Sequence, residues 1–210
     1  MNKVLKTKSL IASLVGVVTF IVFLPALRNE FINWDDNEYV YENPFIRSLD
    51  ARLLKSAFWG FHAGNWHPLT WISHAIDYSI WGLNPLGHHL TNNILHALNT
   101  IMLVLLVMQL MEVKKTEGNT GLSESFLNDR TIGITGAVTG LLFGLHPLHV
   151  ESVAWVAERK DLLCAFFFLL SVLMYMGYAV ATSGPGRPFL RRQYLLTIGF
   201  FMFAFHIIAG

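Results

Sequence analysis

Residues 90–111 read LTNNILHALNTIMLVLLVMQLM, with no Asp, Glu, Lys or Arg among them. About 20 consecutive apolar residues cross the hydrocarbon core of a bilayer as a helix, and this stretch is charge-free back to Tyr78. Four more stretches qualify wholly or nearly. Spans are therefore expected near 9–27, 90–111, 131–150, 162–181 and 193–210. The expected fold class is an all-α membrane protein, one membrane domain over 1–210, a helical bundle of about five transmembrane helices. The last span stops where the chain stops, which reads as a truncated product or fragment. Composition agrees: 53% of residues are hydrophobic and 14% charged, where a soluble domain carries about a quarter charged. A net charge of +1 supplies no basic field for nucleic acid. The single cysteine, Cys164, excludes an internal disulfide framework and a Cys-based zinc site.

Lys3, Lys6 and Lys8 precede the first apolar run. That run exceeds a signal-peptide core of about 7–15 residues, and no Ala-x-Ala pattern follows, so it reads as an uncleaved anchor. With the N-terminus in the cytoplasm, segments 1–8, 112–130 and 182–192 lie inside and carry nine of the 15 Lys and Arg. Segments 28–77 and 151–161 then lie outside with ten of the 14 Asp and Glu. A bacterial inner membrane with a periplasmic acidic face is the expected location.

The outer segments 28–89 and 151–161 carry the chemistry. In the first, Ser48 is positioned to cap a helix whose Leu49, Leu53, Leu54, Ala57 and Phe58 share a face. After Pro68, Leu69, Ile72, Ile76 and Ile80 form a second stripe between Trp71 and Trp81. Both read as helices lying in the membrane interface. Asp35 and Asp36 are adjacent carboxylates beside Trp34. Such a pair suits a general base or a metal ligand; a solvated acidic turn fits the composition equally. In the second segment Glu151, Trp155 and Glu158 fall at i, i+4, i+7, followed by Arg159, Lys160 and Asp161. Arg159 and Lys160 suit a phosphate, as a planar fork and a point charge; interfacial snorkelling with a Glu–Lys pair is the plain alternative. His89, Asn92, Asn93 and His96 form a polar stripe expected to make interhelical hydrogen bonds, with a haem or metal site the rarer use. Gly133, Gly136, Gly140 and Gly144 are spaced for close helix packing.

Five motifs stand in order: Phe31-Ile-Asn-Trp-Asp-Asp36, Trp66-His-Pro-Leu-Thr-Trp71, Gly87-His-His-Leu-Thr-Asn-Asn-Ile-Leu-His96, His146-Pro-Leu-His-Val-Glu-Ser-Val-Ala-Trp155 and Glu158-Arg-Lys-Asp-Leu-Leu163. Together they resemble the N-terminal membrane part of bacterial relatives of the transmembrane and tetratricopeptide-repeat O-mannosyltransferases. These are GT-C glycosyltransferases that use polyprenyl-phosphate sugars. The resemblance covers about residues 15–182; family members have more spans and then 34-residue repeats, whose signature is not seen in these residues. It implies a GT-C-like bundle passing a sugar from a lipid-phosphate carrier to a hydroxyl, on protein, at the non-cytoplasmic face. Asp35 or Asp36 matches the first acidic motif. Glu151, Glu158 and Asp161 lie in the second acidic loop. Arg159 and Lys160 would then hold the departing phosphate, with His67 or His149 holding the donor phosphate or orienting a carboxylate. No cofactor is implied, although Asp35, Asp36, Glu158 and Asp161 are the oxygen ligands a divalent cation takes. The expected partners are the lipid-linked sugar, a hydroxyl acceptor and membrane lipid. The rival reading is a non-catalytic membrane scaffold binding a periplasmic partner.

Overall fold

The computed structural model describes residues 3–117, 128–182, 195 and 197–199. The expected span over 193–210 falls almost wholly outside the described residues. Seven α-helices carry the described chain: α1 Lys3–Val22, α2 Ala51–Trp59, α3 Pro68–Trp81, α4 Pro85–Glu117, α5 Asp129–Gly144, α6 His149–Ala154 and α7 Arg159–Thr182. The protein is an all-α membrane protein. Three helical segments are long and apolar enough to cross a bilayer: Leu5–Arg28, Pro85–Lys115 and Val156–Val180. Leu10, Leu14, Val17 and Ile21 turn outward from the first, as a lipid-facing surface requires.

The stretch expected as a span over 131–150 behaves differently. Its helix α5 has 16 residues, a rise of about 24 Å, and stops at Gly144 ahead of His146-Pro147. Proline disfavours helical backbone at the residue before it, so the apolar run continues past the helix that it was expected to fill. Asn128 caps the other end, its side chain accepting from the Thr131 N–H at 2.9 Å.

The 33-residue α4 is the central post, packed on α1, α5 and α7. The small residues of α5 make the closest contact. A Cβ added at Gly136 would lie 2.7 Å from Met108 Cγ, and one at Gly140 would run into the Val104 side chain. Gly140→Ala is expected to lose about 1–3 kcal/mol through this overpacking, read as an earlier unfolding midpoint in mixed detergent micelles. Gly133→Ala, where the nearest atom is the flexible tip of Ile11 at 3.1 Å, should lose less.

The two ends of α4 differ in charge. At its C-terminal end Glu112 pairs with Lys8 of α1, and Lys115 with Asp129 of α5 at 3.1 Å. At its N-terminal end the two acidic segments meet and enclose a separate core of Tyr39, Val40, Ile46, Leu53, Ala57, Trp71, Ala75, Val156 and Ala157.

Two expectations for the first outer segment change. Asp50, not Ser48, caps α2, accepting from the Arg52 and Leu53 N–H groups at 2.8 and 3.2 Å, while Ser48 Oγ donates to the other Asp50 oxygen. Of the α2 stripe, Leu53 and Ala57 are buried but Leu49 and Leu54 are exposed. On helix α3, Thr70, Trp71, His74, Ala75 and Asp77 face inward, while Ile76 and Ile80 of the apolar stripe face out. Beneath α3 lies a buried arginine rather than an apolar floor, so the polar face is the one that finds partners.

Candidate active site where two acidic segments meet

The first acidic segment turns sharply after Trp34. Asp36 stands at the head of a π-helical turn, Asn37–Tyr41, a geometry frequent at functional sites. Its side chain is fully buried. One carboxylate oxygen accepts from the Ile32 N–H at 2.9 Å and the other from the Ala157 N–H at 2.8 Å, across 121 residues of sequence. Desolvation raises the Asp36 pKa above the ordinary 3.8; the two backbone donors oppose the shift and neighbouring Asp35 adds to it.

The Ala157 N–H is free to donate because the helix that the sequence suggested through Glu151, Trp155 and Glu158 is broken. Helix α6 ends at Ala154, Trp155 is extended, and a 3₁₀ turn Val156–Glu158 leads into α7. Those three residues therefore share no continuous face. A helix end leaves carbonyls without partners; here Asn92 Nδ2 donates to the Val153 and Trp155 carbonyls at 3.4 and 3.1 Å. Other polar residues of α4 work in the same way. Asn93 donates to the Phe20 carbonyl, Asn99 to that of Leu162, and a His96 ring nitrogen meets the Gly144 carbonyl at 2.9 Å. Those of Asn92, Asn93 and His96 are bonds expected of the stripe.

Arg159 differs most from its sequence reading. Expected as a phosphate fork, it is fully buried and spends its donors inside the protein. Nη1 pairs with Asp77 Oδ2 at 2.6 Å and reaches Ser73 Oγ at 3.2 Å; Nε donates to Asn92 Oδ1, and Nη2 to the His88 carbonyl, both at 2.8 Å. Thr91 Oγ1 donates to the other Asp77 oxygen at 2.7 Å. The fork thus clamps α3, α4 and α7 together. His74 lies buried beside this pair, and desolvation followed by the Arg159 charge holds its pKa well below the ordinary value, so it is neutral. Asp77 was not singled out in the sequence. The signal was there: Thr70, His74 and Asp77 stand at i, i+4, i+7, a polar stripe opposite Ile72, Ile76 and Ile80.

With Asp36 and Arg159 engaged, the accessible chemistry narrows to their sequence neighbours. Asp35 is half-buried and accepts no hydrogen bond from the described residues. Lys160 pairs with Glu158 at 2.7 Å, and its ammonium lies 5.9 Å from the centre of the Tyr39 ring. Tyr39, also unforeseen, is buried against Trp71, and its hydroxyl accepts from Asn65 Nδ2 at 3.1 Å. Burial pushes its pKa up; Lys160 opposes this, while Asp35 and Glu158 add to it. Lys160, Glu158 and Tyr39 therefore meet beside the Asp36–Ala157 seam, and the Asp35 charge acts on Tyr39. Asp161 also acts on the Lys160 charge. Glu151 and Asp161 are exposed, Asp161 accepting from Ser152 Oγ at 3.2 Å. His149 sits in a ring cluster with Phe143, His96 and His146, its pKa lowered by burial and then by His146. His67 is half-buried just ahead of α3. Among the described residues no three His, Cys, Asp or Glu side chains converge as a metal site would require.

The raised pKa of Asp36 has a thermodynamic consequence. A carboxyl group that holds its proton more tightly folded than unfolded makes the folded state lose stability as pH rises through the interval between the two pKa values. That interval begins near 3.8 and extends upward. Asp36→Asn should remove this component, so wild type minus variant unfolding free energy falls as pH rises from about 4. Parallel curves for the two proteins would contradict it.

Fold and site together define a class: an all-α membrane protein whose two acidic segments are tied together at one end of the bundle. Comparison with known proteins narrows this. The chain is 30% identical over 185 residues to protein O-mannosyl-transferase Tmtc1 of Drosophila melanogaster, covering 83% of this chain and 19% of that protein. It is 30% identical over 189 residues to human TMTC2, covering 83% and 20%, and 32% identical over 181 residues to mouse TMTC4, covering 82% and 23%. The chain is thus a relative of the TMTC protein O-mannosyl-transferases, and it spans about a fifth of the length of the curated relatives it matches. No family model matches it, and no solved structure matches it.

Proposed function

We propose that the chain is the membrane part of a glycosyltransferase that moves a sugar, mannose by analogy with its relatives' names, from a polyprenyl-phosphate carrier to a protein hydroxyl. The acidic end of the bundle faces away from the cytoplasm, in a bacterial inner membrane the periplasm. The observation that carries this reading is the Asp36–Ala157 hydrogen bond, which ties the segment that holds Asp35 to the one that holds Glu158 and Lys160.

Asp35 is the base. Its carboxylate takes the acceptor hydroxyl proton while that oxygen attacks the anomeric carbon from the face opposite the phosphate. The bond from that carbon to the phosphate oxygen breaks, its electron pair leaves with the lipid phosphate, and configuration inverts. Lys160 balances the charge that grows on the departing phosphate; Glu158 holds it in place until then. Asp36 and Arg159 are positioning residues: one ties the two segments, the other anchors the start of α7. No cofactor enters this scheme.

Membranes carrying the protein, supplied with radiolabelled polyprenyl-phosphate mannose and an acceptor polypeptide, test the reading. Label is expected in alkali-releasable linkage to Ser or Thr, and to vanish with Asp35→Asn. Lipid-linked sugar left wholly unconsumed by these membranes would favour the scaffold reading instead.

A further inference from the structure

The first outer segment contains a feature that sugar transfer does not use. Between Asn29 and Asn84 the chain has three Lys and Arg residues, Arg47, Arg52 and Lys55, in a stretch otherwise rich in carboxylates. All three line one open groove of about 630 Å³, formed by α2 and the turn before it, together with Phe45, Trp59 and Phe61. The groove is anchored rather than fluid on one side. Arg47 donates to the Val40 and Tyr41 carbonyls, and its guanidinium lies 4.4 Å over the Tyr78 ring. Arg52 leans on Asp50 at 2.9 Å while 85% exposed, and Lys55 is exposed with no ion-pair partner among the described residues. Among the described residues Asp50 is the one carboxylate paired with this basic set, leaving an excess of positive charge in the groove.

The apolar part of the groove is as unusual as its charge. Trp59 is 81% and Phe61 79% exposed, and Leu49 and Leu54 beside them are also exposed. Helix α2 packs on α3, whose outward face is Ile76 and Ile80. After α3 the chain turns at Gly82, where φ is +60°, and enters the membrane-crossing α4 at Pro85. The α2–α3 layer therefore adjoins the start of a membrane-crossing helix. Trp rings and Lys or Arg heads are favoured together there, the rings among acyl chains and the cations among phosphates.

We infer that this groove is a binding site for an anionic phospholipid of the bilayer, with Arg52 and Lys55 holding the head-group phosphate and Trp59 and Phe61 seated in the acyl region. Charge complementarity selects the occupant: exposed aromatics alone would accept any lipid, whereas three cations gathered from an acidic segment require an anion. The site is independent of the reaction proposed above, since none of its residues is Asp35, Tyr39, Glu158 or Lys160.

The test uses the full chain purified in detergent, with native mass spectrometry reading lipid retained after addition of phosphatidylglycerol or phosphatidylcholine. The wild type should keep phosphatidylglycerol in preference. Arg52→Gln with Lys55→Gln should weaken that retention about 25-fold, at roughly fivefold per cation near an anionic surface, and leave phosphatidylcholine unchanged. Arg52→Lys with Lys55→Arg should restore it, which separates charge from any loss of fold. Equal retention of the two lipids by the wild type, or undiminished phosphatidylglycerol in the Gln variant, would overturn the site. So would displacement of the lipid by an acidic peptide at lower concentration than by more lipid, which marks a peptide groove, or inorganic phosphate binding with no lipid preference, which marks a free-anion site.

Discussion

Asp77→Leu is expected to cost about 3–5 kcal/mol of folding free energy, the usual result of removing one partner from a buried ion pair. The reason is Arg159, which is fully buried, lies 2.6 Å from Asp77 Oδ2, and has no route to water. Its remaining donors meet a carbonyl, an amide oxygen and a hydroxyl, none of which carries charge. Removing the carboxylate also leaves Thr91 Oγ1 without the acceptor it has at 2.7 Å. The double replacement Asp77→Leu with Arg159→Met should recover much of the loss, because a neutral, apolar pair of similar volume no longer needs solvation. SDS titration of the purified protein in mixed micelles measures all four corners of the cycle, and the coupling term is expected to be large. The result also separates two roles for Arg159. A guanidinium that served mainly to hold a substrate phosphate would leave the unfolding midpoint of Asp77→Leu where the wild type has it.

The second large effect is on rate. Asp35→Asn should lower sugar transfer about 10²–10⁴-fold, the range for losing a positioned general base, while shifting stability by less than about 0.5 kcal/mol. Asp35 is half-buried and accepts nothing from the described residues, so its removal breaks no structural bond. Asp36→Asn should behave in the opposite sense. Its two oxygens each accept a backbone N–H, and an amide offers only one acceptor there while turning an NH₂ toward the other N–H. Leaving that donor buried and unpaired costs about 1–3 kcal/mol, and activity falls as the two segments loosen. Activity measured against pH sharpens the contrast, since the base must be deprotonated to act. Full turnover in Asp35→Asn would remove the proton-transfer role assigned to it, whatever Asp36→Asn does.

The local sequence signals carried some of this and not the rest. Apolar length marked out the three crossing helices without any tertiary knowledge. The Gly133–Gly144 ladder pointed to close packing, and the His89–His96 stripe to interhelical hydrogen bonds. These are properties of a segment by itself: its length, its period, its small residues. Two readings failed for a shared reason. The cap at Asp50 and the break at Trp155 each follow from a partner that lies elsewhere in the chain or from a turn whose geometry the neighbours choose.

What the sequence by itself determined is an all-α membrane protein with its carboxylates gathered in two segments, because hydropathy and charge act residue by residue. Only the tertiary structure decided which of two adjacent aspartates is a fastener and which stands free, and that Arg159 is a clamp rather than a phosphate fork. Those distinctions depend on desolvation and on donors brought in from far along the chain, Ala157 to Asp36 and Asp77 to Arg159. An aspartate has the same letter whether it meets a backbone N–H or open solvent; the fold chooses between them.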